Sequence, residues 1–221
     1  MNAPPGQVVS VNVGAPRMVR WRDRDVLTSI FKEPVAGRVA VRGVNVAGDD
    51  QADRSAHGGP DKAVYAYARE DLEWWSEGLG AALPLGVFGE NLTLTGVAVT
   101  DAVIGERWRI NDVLLEVCAP RIPCYKLGIR MGEDSFPRLF AAVGRPGAYL
   151  RILSEGTVAA GDALIVEHRP THGVTVHTVT EVYHRAHSRA AELLAAPELA
   201  DGWQDWARSL LGRRPKQAST R

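Results

Sequence analysis

The chain has 221 residues and only two cysteines, too few for the disulfide framework of a small secreted domain. It has no excess of either charge, with 26 Lys and Arg against 26 Asp and Glu. Nothing global therefore points to nucleic acid or to an anionic membrane, and any anion site must be a local cluster. Long apolar runs are missing too; none approaches the roughly 18 residues of a membrane span. The N-terminus, MNAPPGQVVSVNVG, lacks the basic start and apolar block of a secretory signal. The GxxxxGK[ST] spacing of a phosphate-binding P-loop is absent, as are flavin, iron–sulfur and Rossmann signatures. These absences lead to the expectation of a cytoplasmic protein with two reduced thiols, although a Cys118–Cys124 bridge is sterically conceivable.

What is present is ordinary for a globular protein: 45% apolar and 24% charged residues. The length allows one substantial domain with an appendage, or two small domains. From about residue 7 to residue 168 strand signals dominate. Val9, Val11 and Val13 alternate with polar neighbours, as in a half-buried strand. Leu27–Phe31, Arg38–Val44, Ala63–Ala68, Asn91–Leu94, Trp108–Val117, Ala148–Leu153 and Ala163–Glu167 read similarly, separated by glycine and proline turns. So many short strands predict a barrel or a sandwich. A helix is predicted over Arg69–Leu79, where Leu72, Trp75 and Leu79 share a face, and a shorter one over Ser135–Val143. After Pro170 the pattern turns helical, over 178–186, 188–196 and 202–212. Asp201 and Gln204 are placed to form a capping box for the last. The expectation is a mostly β chain with helices (α+β), divided into residues 7–168 and a three-helix appendage over 171–212.

Three runs carry candidate chemistry. In VCAPRIPCYKL (117–127), Pro120 and Pro123 cannot continue a central strand, because each removes a ladder donor. The chain therefore leaves a strand and presents Cys124 at a rigid turn between Arg121 and Lys126. Nearby cations favour the thiolate, which attacks electrophiles and binds soft metals; the competing reading is a small buried hydrophobe. In GDDQADRSAHGGPDKAVYAY (48–67), glycines allow close backbone approach to a ligand. His57 and Lys62 could meet an anion there, against a plain solvated turn. In GVFGENLTLTG (86–96), Asn91 can donate and accept at a sheet rim, or simply satisfy turn backbone. No His, Cys or carboxylate set has zinc spacing: His184 and His187 share a helix face without a third ligand. His168, His172 and His177 form no set.

The three runs, with LTSIFKEPV (27–35), GAYLRIL (147–153) and EGTVAAGDAL (155–164), resemble the MOSC domain family, related to the C-terminal part of molybdenum-cofactor sulfurases. Within it the chain is similar to the YiiM-like branch. The resemblance spans roughly residues 7–168, and the tail looks like the small three-alpha domain that accompanies this branch. One departure is Glu106, where the family pattern Ile-Gly-Asp-Arg reads Ile-Gly-Glu-Arg with the charge kept.

The resemblance implies a barrel-like MOSC β fold with packed helices, and makes Cys124 the family cysteine that ligates molybdenum in a pterin cofactor. Cys118 has no such counterpart. The anionic cofactor then needs a local basic cluster, for which Lys32, Arg54, His57, Lys62 and Arg121 are the candidates. Asn91 could bond the pterin or an oxo ligand, with Tyr149 and Arg151 closing the rim. The implied reaction is molybdenum-dependent reduction of N-hydroxylated compounds, such as 6-hydroxylaminopurine, to amines. Cys124 is then the metal ligand, His57 or Lys62 the proton donor, and an external reductase the electron source. A sulfur carrier working through a Cys124 persulfide, and a cofactor carrier without turnover, are the alternatives. Lys62 and Arg121 are expected in polar loops where substitution costs little stability, and the tail is expected to be dispensable for holding the cofactor.

Overall fold

A computed structural model describes residues 5–50 and 59–212 of the chain. Thirteen strands are present among them: β1 (Gly6–Val13), β2 (Arg17–Trp21), β3 (Arg24–Thr28), β4 (Glu33–Pro34), β5 (Val39–Arg42), β6 (Asn45–Val46), β7 (Val64–Ala68), β8 (Leu92–Thr95), β9 (Arg107–Ile110), β10 (Val113–Pro120), β11 (Ala148–Ser154), β12 (Gly156–Val158) and β13 (Ala163–His168). Seven close a barrel in the order β13-β9-β10-β11-β7-β8-β1, and β1 returns to β13 through Gly6↔Leu164 and Gln7↔Ala163. Closure leaves no open edge among these strands. Every neighbouring pair in the barrel is antiparallel except β7 and β8. Parallel neighbours need a crossover, and helix α1 (Arg69–Leu79) supplies it.

The barrel interior is filled by alternate residues of its strands, with Val8, Leu92, Leu94, Trp108, Ile110, Leu115, Leu150 and Leu164 all at most 1% exposed. The predicted single strand Trp108–Val117 is instead a hairpin, β9–β10, turning at Asn111 and Asp112. Asn111 has φ 51°, and tight hairpin turns need that left-handed backbone, which Asn tolerates. Apolar Ile110 and Val113 on either side of the turn made the run look continuous. The β2–β3 hairpin was not predicted: a strand was expected over Leu27–Phe31, whereas β3 ends at Thr28, and β2 is largely exposed with little apolar alternation. Pro120 does lie in a strand, but at its end: β9 pairs only with Val113–Glu116, so the missing N–H faces no partner.

At one end of the barrel three helices, α1, α2 (Tyr125–Met131) and α3 (Phe136–Val143), enclose an aromatic cluster. Tyr65, Tyr67, Trp75, Phe88, Phe136 and Phe140 form it, with Trp75 and Phe140 stacked at 5.6 Å. Gly147 immediately precedes β11 with φ +68°, and a Cβ there would sit 2.6 Å from the Ala66 carbonyl oxygen. Gly147→Ala is therefore expected to cost at least about 2 kcal/mol, a fall of roughly 4–8 °C in Tm for a chain of this size. Thermal denaturation of the purified variant checks this; an unchanged Tm would mean that the strand start relaxes freely.

The tail carries α4 (Val176–His184), α5 (Ala190–Leu193) and α6 (Asp201–Gly212). Thr175 caps α4, its Oγ1 accepting from Thr178 N at 3.0 Å. The predicted capping box on α6 does not use Gln204. That side chain donates to the Pro197 and Leu199 carbonyls and accepts from Arg208. The apolar residues of the tail, including Val176, Val179, Leu193, Leu199 and Ala207, form one continuous cluster with the barrel core. Polar ties add to it. Arg169 pairs with buried Glu106 at 2.7 Å, Ala200 N donates to the Cys118 carbonyl at 3.0 Å, and Arg151 donates to the Glu198 carbonyl at 2.7 Å. No helix among the described residues is long and apolar enough to cross a membrane.

Candidate active site

The loops at the aromatic end of the barrel surround a cavity of about 120 Å³. Lys32, Asp49, Lys62, Tyr65, Asn91, Arg121, Cys124, Lys126 and Tyr149 are among its lining residues. The fold explains why they meet. Arg121 and Cys124 follow β10, Tyr149 lies on the neighbouring β11, and Tyr65 lies on β7 beyond it. Lys62 sits in the turn that enters β7, and Asn91 in the residue that enters β8. Of the residues singled out in the sequence, Cys124, Lys32, Lys62, Asn91, Arg121 and Tyr149 are thus brought to one place. Arg54 and His57 lie outside the described residues.

Cys124 is partly exposed and immediately precedes α2. Arg121 is 6% exposed, not in an open polar loop as its neighbours suggested. Its guanidinium lies over the rings of Tyr65 at 5.4 Å and Phe140 at 5.6 Å. Its Nη1 is buried and has no hydrogen-bond partner among the described residues. Burial pushes the phenols of Tyr65 and Tyr149 up, with the Arg121 charge opposing it; both rings are therefore neutral hydroxyls at ordinary pH. The Tyr65 hydroxyl donates to the Pro146 carbonyl at 2.7 Å.

Asn91 and Lys32 are already engaged. Asn91 Oδ1 accepts from Tyr65 N at 3.0 Å, and its Nδ2 donates to Asp49 at 2.8 Å. Asp49 also accepts from Gly14 N at 2.9 Å and pairs with Lys32. Burial pulls the Lys32 ammonium down, with Asp49 opposing it. Asn91 is thus a strut between β7 and the Asp49 loop as well as a lining residue. Arg151 does not line the cavity; it pairs with Asp61 and Glu116. Just below, Glu90 accepts from Gly86 N, Phe88 N and Thr93 Oγ1, which shapes the loop that carries Asn91. Burial pushes the Glu90 carboxyl up, against those three donors.

Cys118, six residues before Cys124, is fully buried on β10. Its thiol donates towards the Asp61 carbonyl at 3.2 Å. Burial pushes it up to about 12, against the nearby Arg151 charge. Neither cysteine is in a disulfide, so the conceivable bridge is not formed. In cofactor-free protein at neutral pH, iodoacetamide is expected to label Cys124 and spare Cys118. Peptide mass spectrometry reads the outcome, and comparable labelling of Cys118 would show that this end of the barrel opens.

The family model of the MOSC domain matches residues 53–165, which spans the cysteine turn and most of the strands around it. The chain belongs to the MOSC domain family. The uncharacterised protein YflK of Bacillus subtilis (strain 168) is 34% identical over 200 residues, covering 89% of this chain and 90% of YflK. A protein named Reductase from Gibberella moniliformis is 31% identical over 199 residues, which is 87% of this chain and 35% of that protein. The crystal structure of YiiM from Geobacillus stearothermophilus matches with a TM-score of 0.77 at 31% identity, covering 94% of this chain and all of that one. This is a YiiM-like MOSC protein, of a family associated with binding the molybdenum cofactor.

The donor set of this MOSC chain fits such a group. Among the lining residues four cations (Lys32, Lys62, Arg121, Lys126) face two carboxylates (Asp49, Asp50), which favours an anion. The orphaned Arg121 Nη1 is a buried donor in want of an acceptor. No group of three or more His, Cys, Asp or Glu is gathered among the described residues. A bare ion would lack ligands there, whereas a metal that brings its own sulfur ligands needs one more soft donor, and Cys124 is one. Among the charged and aromatic lining residues, Asp49, Asp50 and Tyr65 were not singled out in the sequence. Asp49 lay within a quoted motif, but the search for an anion site favoured cations. Tyr65 looked like a strand residue, and only the fold shows its ring against Arg121.

Proposed function

We propose that the chain reduces N-hydroxylated compounds, 6-hydroxylaminopurine among them, to amines, using a molybdenum cofactor held by Cys124. The observation that carries this reading is the position of Cys124. It lines both the cationic cavity that Arg121 also lines and a second, larger cavity walled in part by Tyr183, Trp203 and Trp206. One side suits an anionic cofactor and the other an organic substrate. The name of the Gibberella relative supports an oxidoreductase.

The balanced reaction is R–NHOH + 2 e⁻ + 2 H⁺ → R–NH₂ + H₂O. The cofactor, when bound, supplies the two-electron redox couple. The chain supplies position, a ligand and electrostatics. Cys124 gives the soft thiolate. Arg121, Lys62 and Lys32 line the cavity and would hold the anionic group, and Arg54 and His57 are further candidates from the sequence. Asn91 holds Asp49, which holds Lys32. Lys62 lines both cavities, which supports it, with His57 from the sequence, as the candidate to hold a proton at the substrate oxygen. Electrons come from a separate reductase, and the reaction belongs to the cytoplasm.

The test is metal and pterin analysis of protein made in a host that synthesises the cofactor, followed by turnover of 6-hydroxylaminopurine with a chemical reductant. Stoichiometric molybdenum with amine formation supports the proposal. Persulfide on Cys124 without metal would replace it by a sulfur carrier, and tight cofactor without turnover by a carrier protein.

A further inference from the structure

Asp61 and Lys62 sit side by side in the single helical turn Pro60–Lys62, and the site uses them differently. Lys62 lines both the cationic cavity and the second cavity of about 620 Å³, whereas Asp61 lines only the second. None of the three turn residues is buried, so packing of their own side chains does not fix the turn. Polar ties do. The Cys118 thiol donates to the Asp61 carbonyl at 3.2 Å, and Arg151 Nε donates to the Asp61 carboxylate. A thiol is a weak donor, which leaves the charge-assisted bond from the guanidinium as the stronger tie.

Arg151 is itself held by further groups. It faces Glu116 across the β10–β11 pair, with Nη1 3.3 Å from Glu116 Oε1. The same Nη1 donates to the Glu198 carbonyl of the tail at 2.7 Å. Glu116 is buried and also pairs with Arg107 at 3.1 Å. Two guanidinium groups thus balance two carboxylates outside the barrel wall. Arg151 lines neither cavity. Its rigid fork suits several acceptors at once, which an ammonium on a flexible stem does not. Without that fork, the cation adjacent to Asp61 in sequence is Lys62. A carboxylate turned onto Lys62 would offset the charge with which the cavity meets an anion.

We propose that Arg151 is a positioning residue for Lys62: by holding the Asp61 carboxylate on the β10–β11 side of the turn, it directs the Lys62 ammonium to the two cavities. The role needs no contact with cofactor or substrate. It rests on the reading of Lys62 as a residue of the Cys124 site. It also gives a function to a charged strand residue that lies two positions after Tyr149 and yet stays out of the cavity.

The test reads Lys62 directly, in the cofactor-free full chain. Trace acetic anhydride acetylates neutral amines and spares ammonium groups, and peptide mass spectrometry compares Lys62 with Lys126 as the internal reference. Arg151→Met is expected to slow Lys62 acetylation at least about threefold, because a released carboxylate favours the charged amine. Arg151→Lys, which keeps a cation at Asp61, should stay within about twofold of wild type. Beside Asp61→Asn, Arg151→Met should change the rate less than about 1.5-fold, since no carboxylate is left to release. If Arg151→Met does not fold, Arg151→Gln, which keeps a donor for the Glu198 carbonyl, carries the same test. Melting temperatures are measured alongside. A merely structural role would loosen the turn and speed acetylation, with or without the Asp61 carboxylate. The proposal is overturned by an unchanged or faster Lys62 rate in Arg151→Met, by the same slowing in Arg151→Lys, or by a slowing that persists undiminished beside Asp61→Asn. Labelling needs no cofactor. The expected labelling in a chain that never acquires molybdenum keeps the positioning role and loses the reductase. A molybdenum-loaded wild type with unchanged Lys62 labelling in Arg151→Met keeps the reductase and loses the positioning role.

Discussion

Cys124→Ser is expected to abolish molybdenum retention and N-reduction, while Cys118→Ser leaves both nearly intact. The two thiols are six residues apart on one stretch of chain, yet the fold gives them opposite surroundings. Cys124 lies past the end of β10, partly exposed, lining two cavities beside Arg121 and Tyr149. Cys118 lies within β10, fully buried, with its thiol pushed up to about 12 by that burial. A serine hydroxyl is a hard oxygen donor and does not replace a thiolate on a soft, sulfur-ligated metal. At Cys118 the same exchange keeps a small polar group facing the Asp61 carbonyl, and costs on the order of 1 kcal/mol. The comparison is made on protein expressed with cofactor synthesis active, by metal analysis and turnover on the same samples. Equal loss from both substitutions would point to a dithiol or a strained site instead.

Much of the barrel was legible in the sequence, because alternation of apolar residues is a local signal. β1, β7, β11 and β13 were recognisable from period two, and α1 from its leucine and tryptophan face. The parts that were not legible depend on distant residues. The turn at Asn111 is hidden by apolar neighbours that belong to two strands. The β2–β3 hairpin lies off the barrel, with β2 largely exposed and without clear patterning. Helix α2 follows so closely on Cys124 that the proline turn and the helix start merge in the sequence. Barrel closure between β1 and β13 joins residues about 150 positions apart, and no local pattern reports that.

The site was legible as a set of residue types and less so as a set of environments. Proline placement located the strand exit: β10 ends at Pro120, and Cys124 immediately precedes α2. The Arg121 environment was misread, because basic residues near prolines usually lie in solvent. Here the turn folds Arg121 inward over Tyr65 and Phe140, and both rings come from elements remote in sequence. The tail was read as a helical cluster apart from the site. Its tryptophans line the cavity at Cys124, which their helical spacing could not reveal.

That difference between the two cations gives the second large effect. Lys62→Ala and Arg121→Ala are both expected to lose cofactor, but only Arg121→Ala is expected to lose stability. Lys62 is partly exposed in a short turn, and truncation of such a side chain is usually within about 0.5 kcal/mol. Arg121 is buried between two aromatic rings, and a desolvated cation over such rings contributes about 2 kcal/mol, with the packing of its aliphatic stem lost as well. In a chain of this size that is a fall of roughly 4–8 °C in Tm. Arg121→Lys separates the two roles. It keeps the charge and most of the stem but loses the planar fork, including the buried Nη1 that has no partner among the described residues, so it should recover stability more than cofactor retention. Differential scanning calorimetry of cofactor-free protein, paired with pterin content after expression in a cofactor-making host, measures both axes. Full cofactor retention in Arg121→Ala with a lowered Tm would make this residue purely structural and move the anion site to Lys62 and its neighbours.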